Sequence, residues 1–141
     1  MKILLCLAIV FVIGARAKPG HPSLKPEEEC LKQLGLQMKD VLPFVHVVTN
    51  PPYPENLGEF LACAWKKRNM LGDNHNISGE NIAKYVLDIY ASLNLDADQK
   101  QQVKNEMNKC ESLTAEKEST LGVLIKNCII IGTHKLKFLS Y

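Results

Sequence analysis

The sequence predicts an all-α domain of about six helices, stapled by disulfides. Nearly every substantial segment carries a 3.6-residue apolar period, none a convincing strand alternation, and there is no internal repeat. Behind an N-terminal leader, Cys30, Cys63, Cys110 and Cys128 remain. An even number of cysteines in an oxidising compartment makes two disulfides the default.

The leader reads as a secretory signal peptide. Lys2 supplies a basic start, residues 3–14 are almost wholly apolar, and Ala15-Arg16-Ala17 forms the small-x-small pattern of a cleavage site. The expected division is therefore residues 1–17 as signal peptide, carrying Cys6 with it, and residues 18–141 as one mature domain. The apolar run is shorter than the roughly 20 residues a bilayer demands, so the expected product is secreted, extracellular and without stable membrane insertion.

Charge narrows the partners. Without Lys2 and Arg16 the mature chain has fifteen basic and fifteen acidic residues, and its basic residues are scattered. Phosphate binding needs clustered positive charge, so no nucleic-acid partner is expected. A zinc site is disfavoured too. Such sites bring two ligands within a few residues, whereas the gaps between these cysteines are 32, 46 and 17 residues. No metal or other cofactor is expected. Three pairings of the four cysteines remain open at this point.

The elements follow in order. Residues 18–25 form a loose arm. Pro26-Glu27-Glu28-Glu29 opens a helix, with proline in the first turn and acid at the positive end of the dipole; Cys30, Leu31, Leu34 and Met38 fall on its inner face. A short helix covers residues 39–48, with Pro43 near its start. Asn50-Pro51-Pro52-Tyr53-Pro54 then breaks the pattern. Residues 55–69 place Leu57, Phe60, Leu61, Ala64 and Trp65 on one face, and Lys66-Lys67-Arg68 close the helix. Gly72-Asp73-Asn74 marks a turn. Ser78 caps a helix running through residue 93, with Ile82, Tyr85, Val86, Ile89, Tyr90 and Leu93 on its apolar side. Asp96 starts a polar helix whose narrow stripe is Val103, Met107 and Cys110. Thr114 caps the last helix, which carries Leu121, Leu124, Ile125, Cys128 and Ile129 and ends at Gly132. The tail through Phe138, Leu139 and Tyr141 is unusually apolar. Asn76-Ile77-Ser78 is a glycosylation sequon in a surface loop, in which Ser78 also has the helix-cap role.

At these residues the chain resembles the insect odorant-binding proteins of the pheromone and general odorant-binding type. The family pattern has six cysteines, with three residues between the second and third and eight between the fifth and sixth. Its pairing is first with third, second with fifth, fourth with sixth. With Cys63 as the third, the second falls on Glu59. With Cys110 and Cys128 as fourth and sixth, the fifth falls on Ser119. The two empty positions are partners of one missing bond, as in the four-cysteine C-minus branch. The register with Cys63 as the second cysteine would leave two thiols orphaned. The run from Trp65 to Asp73 resembles the basic stretch and acidic turn that follow the family's third cysteine.

The resemblance implies Cys30–Cys63 and Cys110–Cys128 bonds, and six helices around an internal apolar pocket. It implies a carrier of small hydrophobic ligands, odorants or pheromones, and a membrane receptor as a further candidate partner. By family position the wall residues would be Leu61, Trp65, Val103, Met107, Ile125 and Ile129, joined from the intervening helix by Ile82, Val86 and Ile89. Phe138, Leu139 and Tyr141 are candidates for a lid, against plain terminal fraying. His21, His46, His75 and His134 are candidates for pH sensing, with ordinary surface histidines as the plainer reading. Each wall position is also open to simple core packing, Trp65 and Met107 less so, since a large ring and a flexible thioether suit an adaptable cavity.

No enzyme is expected. GxSxG, HExxH and phosphate-loop motifs are missing from the sequence, and paired cysteines leave no thiol nucleophile. The alternatives kept beside the olfactory reading are a carrier of lipids or amines in haemolymph, saliva or reproductive fluid, and a secreted helical signalling protein without a cavity.

Overall fold

The computed structural model describes residues 22–139. The leader with Cys6, His21, and the terminal Ser140 and Tyr141 lie outside the described residues. Within them the chain forms six α-helices and three short 3-10 turns. Its only β pairing there is an isolated antiparallel bridge, Leu71 to Ile77.

Helix α1, Lys25–Leu34, begins on Pro26 and its acidic first turn and buries Cys30 and Leu31. It stops at Gly35, whose φ of +66° lies in the left-handed region that glycine adopts without steric cost. The chain turns there, so Leu34, expected on the inner face, is 36 % exposed. Helix α2, Met38–Val45, takes Met38 as its first residue and ends before the expected residue 48, with Pro43 in its interior. Its start is held by the Gln37 amide donating to Asp40 Oδ2 at 2.8 Å.

After the proline-rich connector, α3, Glu55–Lys67, runs through the centre. It buries seven residues, among them Leu57, Phe60, Leu61 and Trp65. Helix α4, Gly79–Ile89, is capped by Ser78, whose Oγ accepts from the Asn81 amide at 3.1 Å. It ends at Ile89, with Tyr90 as its C-cap, and not at Leu93; Ala91–Leu93 form a separate 3-10 turn. Helix α5, Ala97–Asn108, opens on a reciprocal cap between Asp96 and Gln99. It passes into the 3-10 turn Lys109–Ser112, which carries Cys110.

Helix α6, Glu118–Lys135, departs from expectation at both ends. It begins four residues after Thr114, where its side chains first meet α3: Glu118 pairs with Lys66, and Ser119 donates to Glu55 Oε1 at 2.9 Å. It also runs through Gly132. That glycine permits close packing instead of ending the helix, since a Cβ there would lie 2.6 Å from Met107 Cε.

The two disulfides are Cys30–Cys63, joining α1 to α3, and Cys110–Cys128, joining the turn after α5 to α6. This is the pairing that the resemblance implied. Helices α3 and α6 form the main contact of the fold. They approach closely because three small residues face each other. A Cβ on Gly122 would come within 2.7 Å of Ala62 N and Gly58 O, and one on Gly58 would fall on the Ser119 carbonyl oxygen.

Candidate functional site

A cavity of about 610 Å³ lies between α1, α2, α3, α4 and α6. This is within the range of small-molecule sites, roughly 300–1,000 Å³. Its wall is mostly apolar: Met38, Leu42 and Val45 from α2; Phe60, Leu61, Ala64 and Trp65 from α3; Val86 and Ile89 from α4; Ile129 and Ile130 from α6. The exposed members of the wall, Leu24, Leu42, His46 and His134, mark where it meets solvent.

The aromatic part of the wall is tightly placed. The Trp65 indole donates to the Gly122 carbonyl at 2.9 Å, across the α3–α6 contact. Its ring meets Tyr85 edge-on, with centroids 5.8 Å apart and planes at 70°. On the other side of Tyr85 the Arg68 guanidinium lies 4.8 Å from the ring centroid. Arg68 is held by Glu27 in two bonds of 2.8 and 2.7 Å and donates to the Ser23 carbonyl at 2.6 Å. Burial pushes the Tyr85 phenol above its usual range, and the Arg68 charge only partly opposes this.

Lys126 is the second charged group on the wall, and only 3 % of it is exposed. Its ammonium donates to Phe44 O at 2.9 Å, Val47 O and Thr49 Oγ1 at 2.7 Å. These acceptors lie at the C-terminal end of α2 and just beyond it, where unsatisfied carbonyls and the helix dipole favour a cation. Asn127 completes the clip: its Oδ1 accepts from the Thr49 amide at 2.9 Å, and its Nδ2 donates to Thr49 O at 2.8 Å. Burial without a carboxylate partner pushes the Lys126 pKa down to about 8.

The candidate wall residues divide. Leu61, Trp65, Val86, Ile89 and Ile129 line the cavity. Ile82, Val103, Met107 and Ile125 are off the wall, completely buried in the solid core. Helix α5 contributes nothing to the cavity, because its Val103 and Met107 stripe packs on the far sides of α4 and α6. Ile125 shares its face of α6 with Cys128 and Gly132, the face turned to α5. Ile82 lies one turn into α4, where Gly79 abuts Asn108 at the end of α5. Phe138 and Leu139 pack against the core, Leu139 at 4 % exposed, and neither reaches the cavity; Tyr141 lies outside the described residues. Of the histidines, His46 and His134 stand at the cavity mouth and His75 does not. Asn76 is exposed on its loop.

Sequence reasoning did not find the contribution of α2, nor Tyr85 and Lys126 as wall residues. For Lys126 a signal existed: it shares the spacing of Gly122, Ile129 and Thr133, so a lysine stands on an inward stripe.

Among the described residues no helix is long and apolar enough to cross a membrane, and no cluster of ligating side chains could hold a metal. No match was found among curated proteins or solved structures. A family model does match, over residues 23–130, a span that takes in all six helix starts, both disulfides and every wall-bearing element. The chain belongs to the PBP/GOBP family.

Proposed function

We propose that the protein is a secreted carrier that takes small hydrophobic molecules, odorants or pheromones, out of water into the cavity between α2, α3, α4 and α6. The observation that supports this is the cavity itself: about 610 Å³, walled mainly by apolar side chains, inside a small domain. Filling it with an apolar ligand yields about 25 cal/mol for each Å² removed from water. No bond need be made or broken. Release of the signal peptide after Ala17 and glycosylation at Asn76 belong to the same proposal.

Titration with an environment-sensitive apolar dye tests it. One saturable site per chain, emptied competitively by apolar molecules, is the expected result. A helical signalling protein acting through its surface would show no stoichiometric site, and that outcome would sink the proposal. A carrier of lipids or amines in haemolymph, saliva or reproductive fluid would share the cavity. Intact and native mass spectrometry on protein from its source addresses that alternative, and reports cleavage, disulfides, glycan and any retained ligand together.

A further inference from the structure

We infer that the cavity selects neutral ligands carrying one hydrogen-bond acceptor, a ketone, aldehyde or ester carbonyl, and that the Tyr85 hydroxyl is the group that binds it. The inference rests on the carrier reading above and adds the ligand's polar chemistry to it.

It comes from accounting for the polar groups on the wall. Arg68 and Glu27 satisfy each other. The ammonium of Lys126 spends its three protons on three oxygens. Thr133 Oγ1 donates to Ile130 O at 3.0 Å, and Tyr90 is engaged as well. The two histidines are exposed at the mouth. Tyr85 differs. Its ring is held by Trp65 and Arg68, yet its hydroxyl makes no hydrogen bond among the described residues. Nor is it sealed, because no buried side-chain polar atom in those residues lacks a partner. Since Tyr85 belongs to the cavity wall, we take its unbonded and unsealed hydroxyl to be the polar group that meets what fills the cavity.

Chemistry then sets the ligand. A phenol is protonated at neutral pH and so a donor, and burial moves its pKa further up. The guanidinium over its face draws electron density from the ring and makes the hydroxyl a better hydrogen-bond donor. A ligand carbonyl would satisfy this donor, whereas an alkane would leave it bare, and bare polar groups in water-poor space are costly. A charged ligand finds no free donor on either cation of the wall: Arg68 is paired with Glu27, and Lys126 has all three protons on neutral protein oxygens.

Dye displacement on wild type and Tyr85→Phe tests this with three probes of equal chain length: a linear methyl ketone, the alkane and the carboxylate. The ratio of ketone to alkane affinity should fall about two- to tenfold from wild type to variant, the worth of one such bond. The variant should bind dye and alkane as before. A ratio unchanged in the variant overturns the inference, as does the carboxylate binding tightest of the three. A wild type with no dye site defeats the carrier reading instead, which is a different outcome. Should Tyr85→Phe melt early, the infrared carbonyl stretch of carbonyl-13C ketone bound to wild type decides. A shift to lower frequency than in alkane solvent supports the bond, and an alkane-like frequency overturns it.

Discussion

Replacing Gly122 by alanine should destabilise the protein, against the usual sign of that change within a helix. In an exposed helix interior, Gly→Ala gains about 1 kcal/mol from the restricted unfolded chain and better propensity. Here the new methyl carbon would lie 2.7 Å from Ala62 N, 2.7 Å from Gly58 O and 3.2 Å from Ala62 Cα. All three are backbone atoms of α3, so no side chain can rotate away. The helices must separate by about 1 Å to restore ordinary contact, and overpacking of this kind costs about 1–3 kcal/mol. Separation also thins the dispersion contact along the whole α3–α6 seam, which places the cost at the upper end. The net loss should be about 2 kcal/mol, or roughly 8 °C in melting temperature for a domain of this size. Circular dichroism melts with disulfides intact measure it. The only tryptophan gives a second readout, because Trp65 donates across the seam to the Gly122 carbonyl and its emission should shift to the red. A variant that melts at or above the wild-type temperature would refute the claim that the α3–α6 seam leaves no room for a side chain.

Two further predictions follow. Stability should rise with pH from about 8 towards 10, because Lys126 has a folded pKa near 8, below its ordinary 10.5. In that window the unfolded chain binds more protons, so the penalty of burying the ammonium, fully present below pH 8, is progressively relieved. The gain is at most about 3 kcal/mol, since the three oxygens around Nζ favour the charged form. Urea titrations of wild type and Lys126→Met across this range should show the slope only in the wild type; parallel curves would disprove it. Readings stop at pH 10, above which the raised pKa of Tyr85 acts in the opposite direction. The second concerns the empty cysteine pair. Glu59 lies one turn after Glu55, which already bonds Ser119, so Glu59→Cys with Ser119→Cys should form a third disulfide between α3 and α6. It should add about 2–4 kcal/mol and narrow the range of molecules bound. Unchanged affinities across a ligand panel, with the bond verified by mass, would refute the expected narrowing.

Helix identity was legible because apolar spacing survives in a sequence whatever packs against it. Helix ends were less so, because tertiary contacts decide them. Thr114 is a good cap by local chemistry, yet α6 waits until Glu118 and Ser119 can meet Lys66 and Glu55. Gly132 looks like a stop and is instead the contact that admits Met107. The site was half legible for a related reason. Amphipathic spacing marks residues that point inward, but inward has two destinations here. On α6, Ile125 points to α5 and closes into solid core, while Ile129, one turn on, reaches empty space. The difference depends on which neighbouring helix is present at that level, and no window of one helix contains it. Lys126 was passed over because its residue type, not its position, says surface.

That lysine also bears on why a cavity exists at all. Hydrophobic attraction is non-directional and draws apolar faces together until they touch. Helix α2 has the side chains to fill the space, Met38, Leu42 and Val45, yet only Val41 is fully buried. What ties its C-terminal end to α6 is polar: Phe44 O, Val47 O and Thr49 on Lys126 and Asn127. Hydrogen bonds have a preferred length and angle, and a long lysine stem sets how far its acceptors stand from the α6 axis. The clip therefore acts as a spacer as well as an anchor. It holds a helix with an unsatisfied apolar face at a fixed distance from two others, and the surface left between them is what a ligand would cover.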